Sequence, residues 1–254
     1  MAWFNAPARE SRPVRHTLRA LAWLLRYPDD TQRAHLGDLR DALHAEGALA
    51  PGRLAEIDAL VERLAALAPL RAEAEYVDLF DRGRRTSLHL FEHVHGDSRD
   101  RGPAMIDLVQ TYERAGLLLA DGELPDYLPV VLEFASTQPA AQAAEFLREL
   151  AHIVRALFTA MLEHPTPQAA RLARQAPQAA LFAAVLGAVL DLAGEKAERV
   201  PLPEEPALDE SWAEPEAFGG CSSQGQARAD APQPIQIHRP ARPAAAAPQA
   251  GRAA

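Results

Sequence analysis

The 254-residue chain contains a single cysteine, Cys221, and only 14 glycines. One cysteine can form neither an internal disulfide nor a site of several thiolates, so we expect a protein of the reducing cytoplasm. No apolar run reaches the roughly 18 to 20 residues of a membrane span. The nearest candidate, Ala179 to Ala193, is interrupted by Gly187 and Asp191. The first residues also lack the basic and then apolar order of a secretory signal. We therefore expect no direct membrane insertion.

Aromatic residues make up only 6% of the chain, whereas 48% of its residues are hydrophobic. Burial must therefore rest on leucine, valine and alanine, the mixture expected of packed helices. Acids outnumber bases, and the formal net charge is -9. This balance argues against a nucleic acid as the main partner, because binding to phosphates draws on clustered cations.

Apolar residues recur at helical spacing from Val14 to Ala193, and no convincing run of alternating β-branched residues is present. The sequence therefore predicts an all-α fold, a single-domain multi-helix bundle over residues 13–198. We expect residues 1–12 to be flexible. Residues 199–254 are acidic and then rich in alanine and proline, so we expect a mostly disordered tail.

Prolines and glycines mark the expected helix ends. The predicted helices lie at about 14–27, 31–46, 51–67, 69–81, 88–96, 103–116, 127–138, 139–163 and 177–192. We expect Asp30 to cap the second helix and Asp126 to cap the one that begins near Pro129. The last helix is apolar enough for a central position in the bundle.

The most unusual part of the chain is a polar block at residues 89–101, followed one helix later by Glu123-Leu-Pro-Asp-Tyr-Leu-Pro129. An exposed ion pair contributes only about 0 to 1 kcal/mol, so stability alone is a poor reason for so many charges. A groove lined by both blocks would suit an arginine- or amide-rich helical peptide. The candidate binding residues are Glu92, His93, His95, Asp97, Arg99, Asp100, Arg101, Tyr112, Glu123, Asp126 and Tyr127.

The histidines of the first block allow an alternative, a metal-binding or catalytic helical protein. His89 and His93 are four residues apart and would share a helix face, with His95 just beyond. The spacing departs from that of zinc-enzyme helices, because Glu92 is adjacent to His93 and does not take the general-base position. These histidines could equally hydrogen-bond a buried corner or a helix end.

Enzymatic patterns are weak elsewhere in the sequence. The glycine pair Gly219-Gly220 lies in the expected tail and precedes no predicted helix, so it does not form a phosphate loop. Ser87 and Ser98 lie near histidines, but an activated nucleophile also needs an orienting acid and an oxyanion hole. We therefore expect that the protein is not an enzyme.

The two polar blocks, taken in order, resemble the signature of the NarJ family, assembly chaperones that help insert molybdenum cofactor into respiratory nitrate reductase. The similar segments are Tyr76-Val-Asp-Leu-Phe-Asp81, Ser87 to Gly102, Ala104-Met105, Glu123 to Pro129 and Leu132-Glu133. Asp209 to Pro215 and Phe218 to Ser222 also look like the family's C-terminal pattern. NarJ belongs with the TorD and DmsD group, so the resemblance implies an all-helical bundle of that type.

The resemblance also implies a function. Such a chaperone binds the apo alpha subunit of nitrate reductase, including its N-terminal segment, and keeps it competent for cofactor insertion before membrane docking. We would then expect no permanently bound cofactor, because molybdenum bis-guanine-dinucleotide and the iron–sulfur clusters belong to the client. Proteins of molybdenum cofactor biosynthesis are a further expected partner. Histidines near the groove would make client affinity depend on pH near neutrality.

Overall fold

The computed structural model describes residues 13–96, 98–164 and 178–202. These residues form ten α-helices and one short 3-10 helix, Arg84–Thr86, which confirms the predicted all-α fold. The α-helices are α1 (Arg15–Leu24), α2 (Asp30–Ala34), α3 (Leu36–Glu46), α4 (Pro51–Ala66), α5 (Pro69–Phe80), α6 (Leu90–Val94), α7 (Arg101–Arg114), α8 (Leu128–Thr137), α9 (Ala140–Glu163) and α10 (Gln178–Leu192). The predicted flexible segment 1–12, Asp97 and the predicted tail from residue 203 lie outside the described residues.

The central helix of the bundle is α10, as the sequence predicted. Every residue from Phe182 to Leu190 is buried, because a helix that is apolar on all sides is stable only in the interior. It packs against α9 and α4 and also contacts α1, which in turn packs against α3 and α8. None of the helices in the described ranges combines the length and apolar character that crossing a bilayer requires.

Helix ends follow the proline and glycine signals in several places. Pro51 and Pro69 stand in the first turns of α4 and α5, where a missing amide hydrogen costs nothing. Gly96 follows α6 with a φ of 51°. Because L side chains rarely adopt this left-handed conformation, glycine ends the helix there, as predicted.

The prediction of one continuous helix at residues 31–46 is wrong, because the structure divides it at His35 into α2 and α3. Its cap is Asp29 and not Asp30, since Asp29 Oδ1 accepts a hydrogen bond from Gln32 N at 2.7 Å. Gln32 Nε2 also donates to the Trp23 carbonyl at 3.3 Å, and the His35 ring packs edge-on against Trp23. Gln32 and His35 thus contact the end of α1 at the point where the predicted helix is split.

Helix α7 lies nearer the surface than its sequence predicted. It begins at Arg101, before Pro103. Of the expected inward residues only Tyr112 is buried, while Met105, Leu108 and Val109 are half-buried. The Tyr112 hydroxyl donates to the Pro125 carbonyl at 2.7 Å, so the end of α7 is tied to the second polar block.

The chain continues along α9 after α10 ends. Arg155 donates to Glu195 at 2.6 Å, and Val200 N donates to Thr159 Oγ1 at 3.1 Å. The contact at Val200 lies just inside the segment 199–254 that the sequence assigned to the tail.

Candidate functional site

The two polar blocks meet through their backbones. His89 and Tyr127 form an isolated antiparallel bridge. Leu90 N donates to the Asp126 carbonyl at 3.0 Å, and Leu128 N donates to the Leu88 carbonyl at 2.9 Å. The predicted proximity of the two blocks is therefore present in the structure, and the bridge fixes the start of α6 against the start of α8.

Asp126 is fully buried at this junction. Its Oδ2 accepts a hydrogen bond from Phe91 N at 3.1 Å, so it caps α6, whose own N-cap residue has no side-chain hydrogen bond. The predicted role of Asp126 as the cap of α8 is wrong, because that position is taken by Tyr127. Its carboxylate is sealed from solvent and cannot contact a partner directly, so Asp126 is a positioning residue.

His89 and Arg101 surround the same carboxylate. His89 Nδ1 lies 3.5 Å from Asp126 Oδ1, an ion-pair contact without hydrogen-bond geometry, since both atoms lack a hydrogen-bond partner. The interaction with Asp126 raises the pKa of His89 above its ordinary 6.5, against the opposing effect of partial burial. The Arg101 guanidinium lies 3.9 Å from Asp126 Oδ2 and 3.6 Å from Glu92.

The three histidines of the first block have separate partners. His93 Nε2 lies 2.8 Å from the Ser87 carbonyl and must donate to it, while the His95 ring packs edge-on against Phe91. His89 contacts Asp126, so the three histidines do not converge on one point. Within the described part of the chain, no cluster of three or more histidine, cysteine or acidic side chains could hold a metal ion.

Residues 98–100 of the first polar block are exposed to solvent. Asp100 is exposed and accepts a hydrogen bond from Ser98 at 3.2 Å, and Arg99 is exposed. Of the described charges between residues 98 and 101, Arg101 is the one that connects the first polar block to the second. Asp97 lies outside the described residues.

An open cleft of about 460 Å³ lies between α1, the irregular segment at residues 117–120 and α8. We name it the apolar cleft. Its lining is Arg15, Arg19, Ala22, Trp23, Arg26, Tyr112, Leu117, Leu118, Leu119, Ala120, Glu123, Tyr127, Pro129, Val130, Glu133, Phe134, Ser136 and Thr137. Three predicted site residues, Tyr112, Glu123 and Tyr127, are among them. Leu118 is 86% exposed, which is unusual for a leucine beside other apolar side chains.

Sequence reasoning missed the contribution of α1 and of the leucine run at residues 117–119. A triplet of leucines directly after the helix-ending Gly116 was the available signal, because a turn rarely needs three large apolar side chains. The rim of the cleft is not purely acidic. Arg15, Arg19 and Arg26 line the cleft together with Glu123 and Glu133, so its rim carries both signs of charge.

A second cleft, of about 400 Å³, lies beside the first. We name it the tyrosine cleft; its lining is Tyr27, Tyr76, Phe80, Asp81, Leu88, His89, Gly122, Glu123, Leu124 and Tyr127. Glu123 and Tyr127 line both clefts. The Tyr76 hydroxyl donates to the Leu25 carbonyl at 2.9 Å. It therefore accepts from the Tyr127 hydroxyl 3.3 Å away, which fixes the wall between the clefts.

Comparison with known proteins identifies the family. The sequence profile of the nitrate reductase delta subunit family matches residues 46–174, just over half of the chain. The chain belongs to the nitrate reductase delta subunit family. Every candidate residue that the sequence singled out lies inside the matched range, whereas α1, which supplies one side of the apolar cleft, precedes it.

Three relatives of this delta subunit family member carry related names. It is 45% identical over 140 residues to the nitrate reductase molybdenum cofactor assembly chaperone NarJ of Escherichia coli strain K12, covering 55% of this chain and 59% of NarJ. It is 50% identical over 117 residues to the probable nitrate reductase molybdenum cofactor assembly chaperone NarW of the same strain, covering 46% of each. It is 34% identical over 143 residues to the probable assembly chaperone NarJ of Bacillus subtilis strain 168, covering 56% of this chain and 76% of that protein.

These relatives confirm the resemblance to NarJ that the polar blocks indicated. The chain spans only 59% and 46% of the lengths of the two Escherichia coli proteins. The names of the relatives describe assembly chaperones and no catalytic activity, which agrees with the expectation that this family member is not an enzyme.

Proposed function

We propose that the protein is an assembly chaperone for a respiratory nitrate reductase. In this proposal it binds the apo alpha subunit, including its N-terminal segment, and keeps that client competent for molybdenum cofactor insertion before membrane docking. Family membership and the names of the three relatives support this role. Proteins of molybdenum cofactor biosynthesis are a proposed second class of partner, and the cytoplasm is the proposed compartment.

The observation that carries the proposal is the open apolar cleft beside the second polar block. A client segment that folds as an amphipathic helix gains about 25 cal/mol per Å² of apolar surface buried in such a groove. The charges of both signs on the rim add register and steering more than affinity. Affinity would thus come from the apolar cleft, and register would come from the charges. This arrangement suits a chaperone, because the client must be bound and later released.

We propose that the predicted polar residues extend this docking surface beyond the apolar cleft, which Tyr112, Glu123 and Tyr127 line. Asp126 acts indirectly, by holding α6 against α8. The proposed client contacts are Glu92, His93, His95, Asp97, Arg99, Asp100, Arg101, Glu123 and Tyr127. Tyr112 is buried and its hydroxyl donates to the Pro125 carbonyl, so it supports the cleft from within. No bond is made or broken at this surface, and no cofactor is permanently bound. The molybdenum bis-guanine-dinucleotide and iron–sulfur clusters are delivered to the client.

The test is calorimetric titration of the purified protein with the N-terminal peptide of the alpha subunit. We expect Leu118→Asp to weaken binding about tenfold or more, because burial of a leucine side chain contributes about 1.5 to 3 kcal/mol. The melting temperature should change little, since Leu118 is already exposed in the free protein.

The matched control is Leu70→Asp at the start of α5, because Leu70 is 80% exposed and lies outside the apolar cleft. It should bind the peptide like the unmodified protein. Equal affinities for the Leu118 and Leu70 variants would place the client elsewhere. Absence of binding to the unmodified protein would contradict the proposed function itself.

A further inference from the structure

The tyrosine cleft has aromatic walls arranged at fixed angles. Tyr27 packs edge-on against Tyr76, with ring centroids 5.6 Å apart, and Tyr76 lies 4.6 Å from Phe80. The chain of hydroxyl hydrogen bonds from Tyr127 through Tyr76 to the Leu25 carbonyl holds the wall that this cleft shares with the apolar cleft. A cavity with several oriented aromatic rings offers the negative faces to which cations are attracted.

Two carboxylates add negative charge to the same cleft. Asp81 is exposed at the end of α5 and lines this cleft. Glu123 lies 3.6 Å from the Arg26 guanidinium. Burial raises the pKa of Tyr76 above its ordinary value, and the charge of Asp81 adds to that effect. Burial likewise raises the pKa of Tyr127, although its hydrogen bond with Tyr76 and the charge of Arg26 oppose that shift, and the charges of Glu123 and Asp81 add to it.

From this combination we infer that the tyrosine cleft receives one arginine side chain of the bound client segment. The guanidinium would lie between Tyr27 and Tyr127 and face Asp81, while the apolar side chains of the segment occupy the apolar cleft. The inference rests on the proposed function, because it assigns a second anchoring point to the same client. Because Glu123 and Tyr127 line both clefts, the clefts are adjacent, and one client segment can occupy both at the same time.

Arginine fits this cleft better than lysine does. The guanidinium is planar and can stack on a tyrosine ring while donating two hydrogen bonds to one carboxylate. An ammonium is a compact and strongly hydrated charge without a flat face. The protein already contains one such arrangement on the other side of the wall, where the Arg26 guanidinium lies 5.5 Å from the centre of the Trp23 ring and close to Glu123.

The first experiment uses the full chain and two small probes, N-acetyl-L-arginine amide and N-acetyl-L-citrulline amide. Citrulline keeps the shape of arginine and removes its charge. We expect the arginine probe to shift the ring resonances of Tyr27 and Tyr127 saturably, and the citrulline probe to leave them unchanged. Identical shifts with both probes, or no saturable shift with either, would overturn the inference.

The second experiment compares Asp81→Asn with Asp78→Asn. Both residues lie near the end of α5, and both changes remove one negative charge, but Asp78 lies outside the tyrosine cleft and pairs with Arg82 at 2.9 Å. We expect Asp81→Asn to weaken binding of the arginine probe and of the client peptide about threefold to tenfold at low ionic strength. Asp78→Asn should leave both affinities within twofold of the unmodified protein.

The third experiment replaces each arginine of the client peptide in turn by citrulline. One replacement should weaken binding to the unmodified protein and have no further effect on Asp81→Asn, because the two changes remove the same contact. If Leu118→Asp weakens client binding but neither Asp81→Asn nor any citrulline replacement does, the proposed function stands and the inference is wrong. If the client peptide fails to bind at all, the proposed function is wrong, and the small probes still decide whether the cleft accepts a guanidinium.

Discussion

Three helix ends of this bundle are satisfied by side chains from distant parts of the chain. Asp126 caps α6, Glu46 accepts from His16 N and Thr17 N at the start of α1, and Arg33 donates to two carbonyls at the end of α4. Capping patterns in sequence are read within a few residues of the helix end. Contacts across about thirty residues leave no such local pattern, so sequence assigned Asp126 to the wrong helix.

The contact between His89 and Asp126 predicts a pH-dependent stability. The pKa of His89 is raised in the folded state by its interaction with Asp126. Its stabilising contribution is therefore fully present below the unfolded pKa of about 6.5 and is lost as pH rises through the folded pKa. We expect His89→Gln to be less stable than the unmodified protein at about pH 6, and this difference to shrink toward about pH 8.

Urea unfolding at several pH values measures this difference. His152→Gln is a suitable control, because His152 is exposed on α9 and its Nδ1 lies 3.1 Å from the Glu149 carbonyl of the same helix. A difference between His89→Gln and the unmodified protein that stays constant, or grows with rising pH, would contradict the assigned ion pair.

At the level of helices, most elements were predictable because their signals are local. Pro51, Pro69 and Gly96 mark ends that the structure retains, and the apolar composition of residues 178–192 predicted their central place. The split at His35 was not predictable, since it depends on contacts that Gln32 and His35 make with Trp23. Tertiary contacts of this kind override propensity without changing the periodicity of the sequence.

Arg33 provides a test at the level of helices. Its guanidinium donates to the Leu64 carbonyl at 2.6 Å and the Leu67 carbonyl at 2.7 Å, beside the negative end of the α4 dipole. We expect Arg33→Ala to lower the free energy of unfolding by about 1 to 2 kcal/mol. Arg33→Lys should recover only part of the loss, because one ammonium does not reproduce the planar fork.

Denaturant unfolding at neutral pH measures these changes in stability. Arg40→Ala serves as the control, because the Arg40 side chain is exposed and lies 4.0 Å from Asp41, a contact expected to contribute within about 0.5 kcal/mol. If Arg33→Ala were as stable as Arg40→Ala, the two hydrogen bonds would not support the end of α4.

At the scale of the whole molecule, the sequence predicted that the two polar blocks form one surface, and their backbones do meet. It could not predict that α1 would form one side of the apolar cleft, because packing of α1 against α8 joins residues about a hundred positions apart. Nor could it predict that the carboxylate of Asp126 would be buried while Glu123, three residues earlier, stays partly exposed. The predicted role of the polar blocks in client binding remains a prediction.

The most direct measurement is hydrogen–deuterium exchange of the full chain, free and saturated with the alpha-subunit N-terminal peptide. Residues 118–122 belong to the mostly exposed connection between α7 and the second polar block. Their amides should exchange quickly in the free protein, whereas Leu117 N and Glu123 N donate to the Tyr112 and Ala120 carbonyls. We predict marked slowing of exchange at residues 118–122 on peptide binding, with little change in the connection at residues 47–50. Unchanged exchange at residues 118–122 under saturating peptide would contradict the claim that the client docks in the apolar cleft.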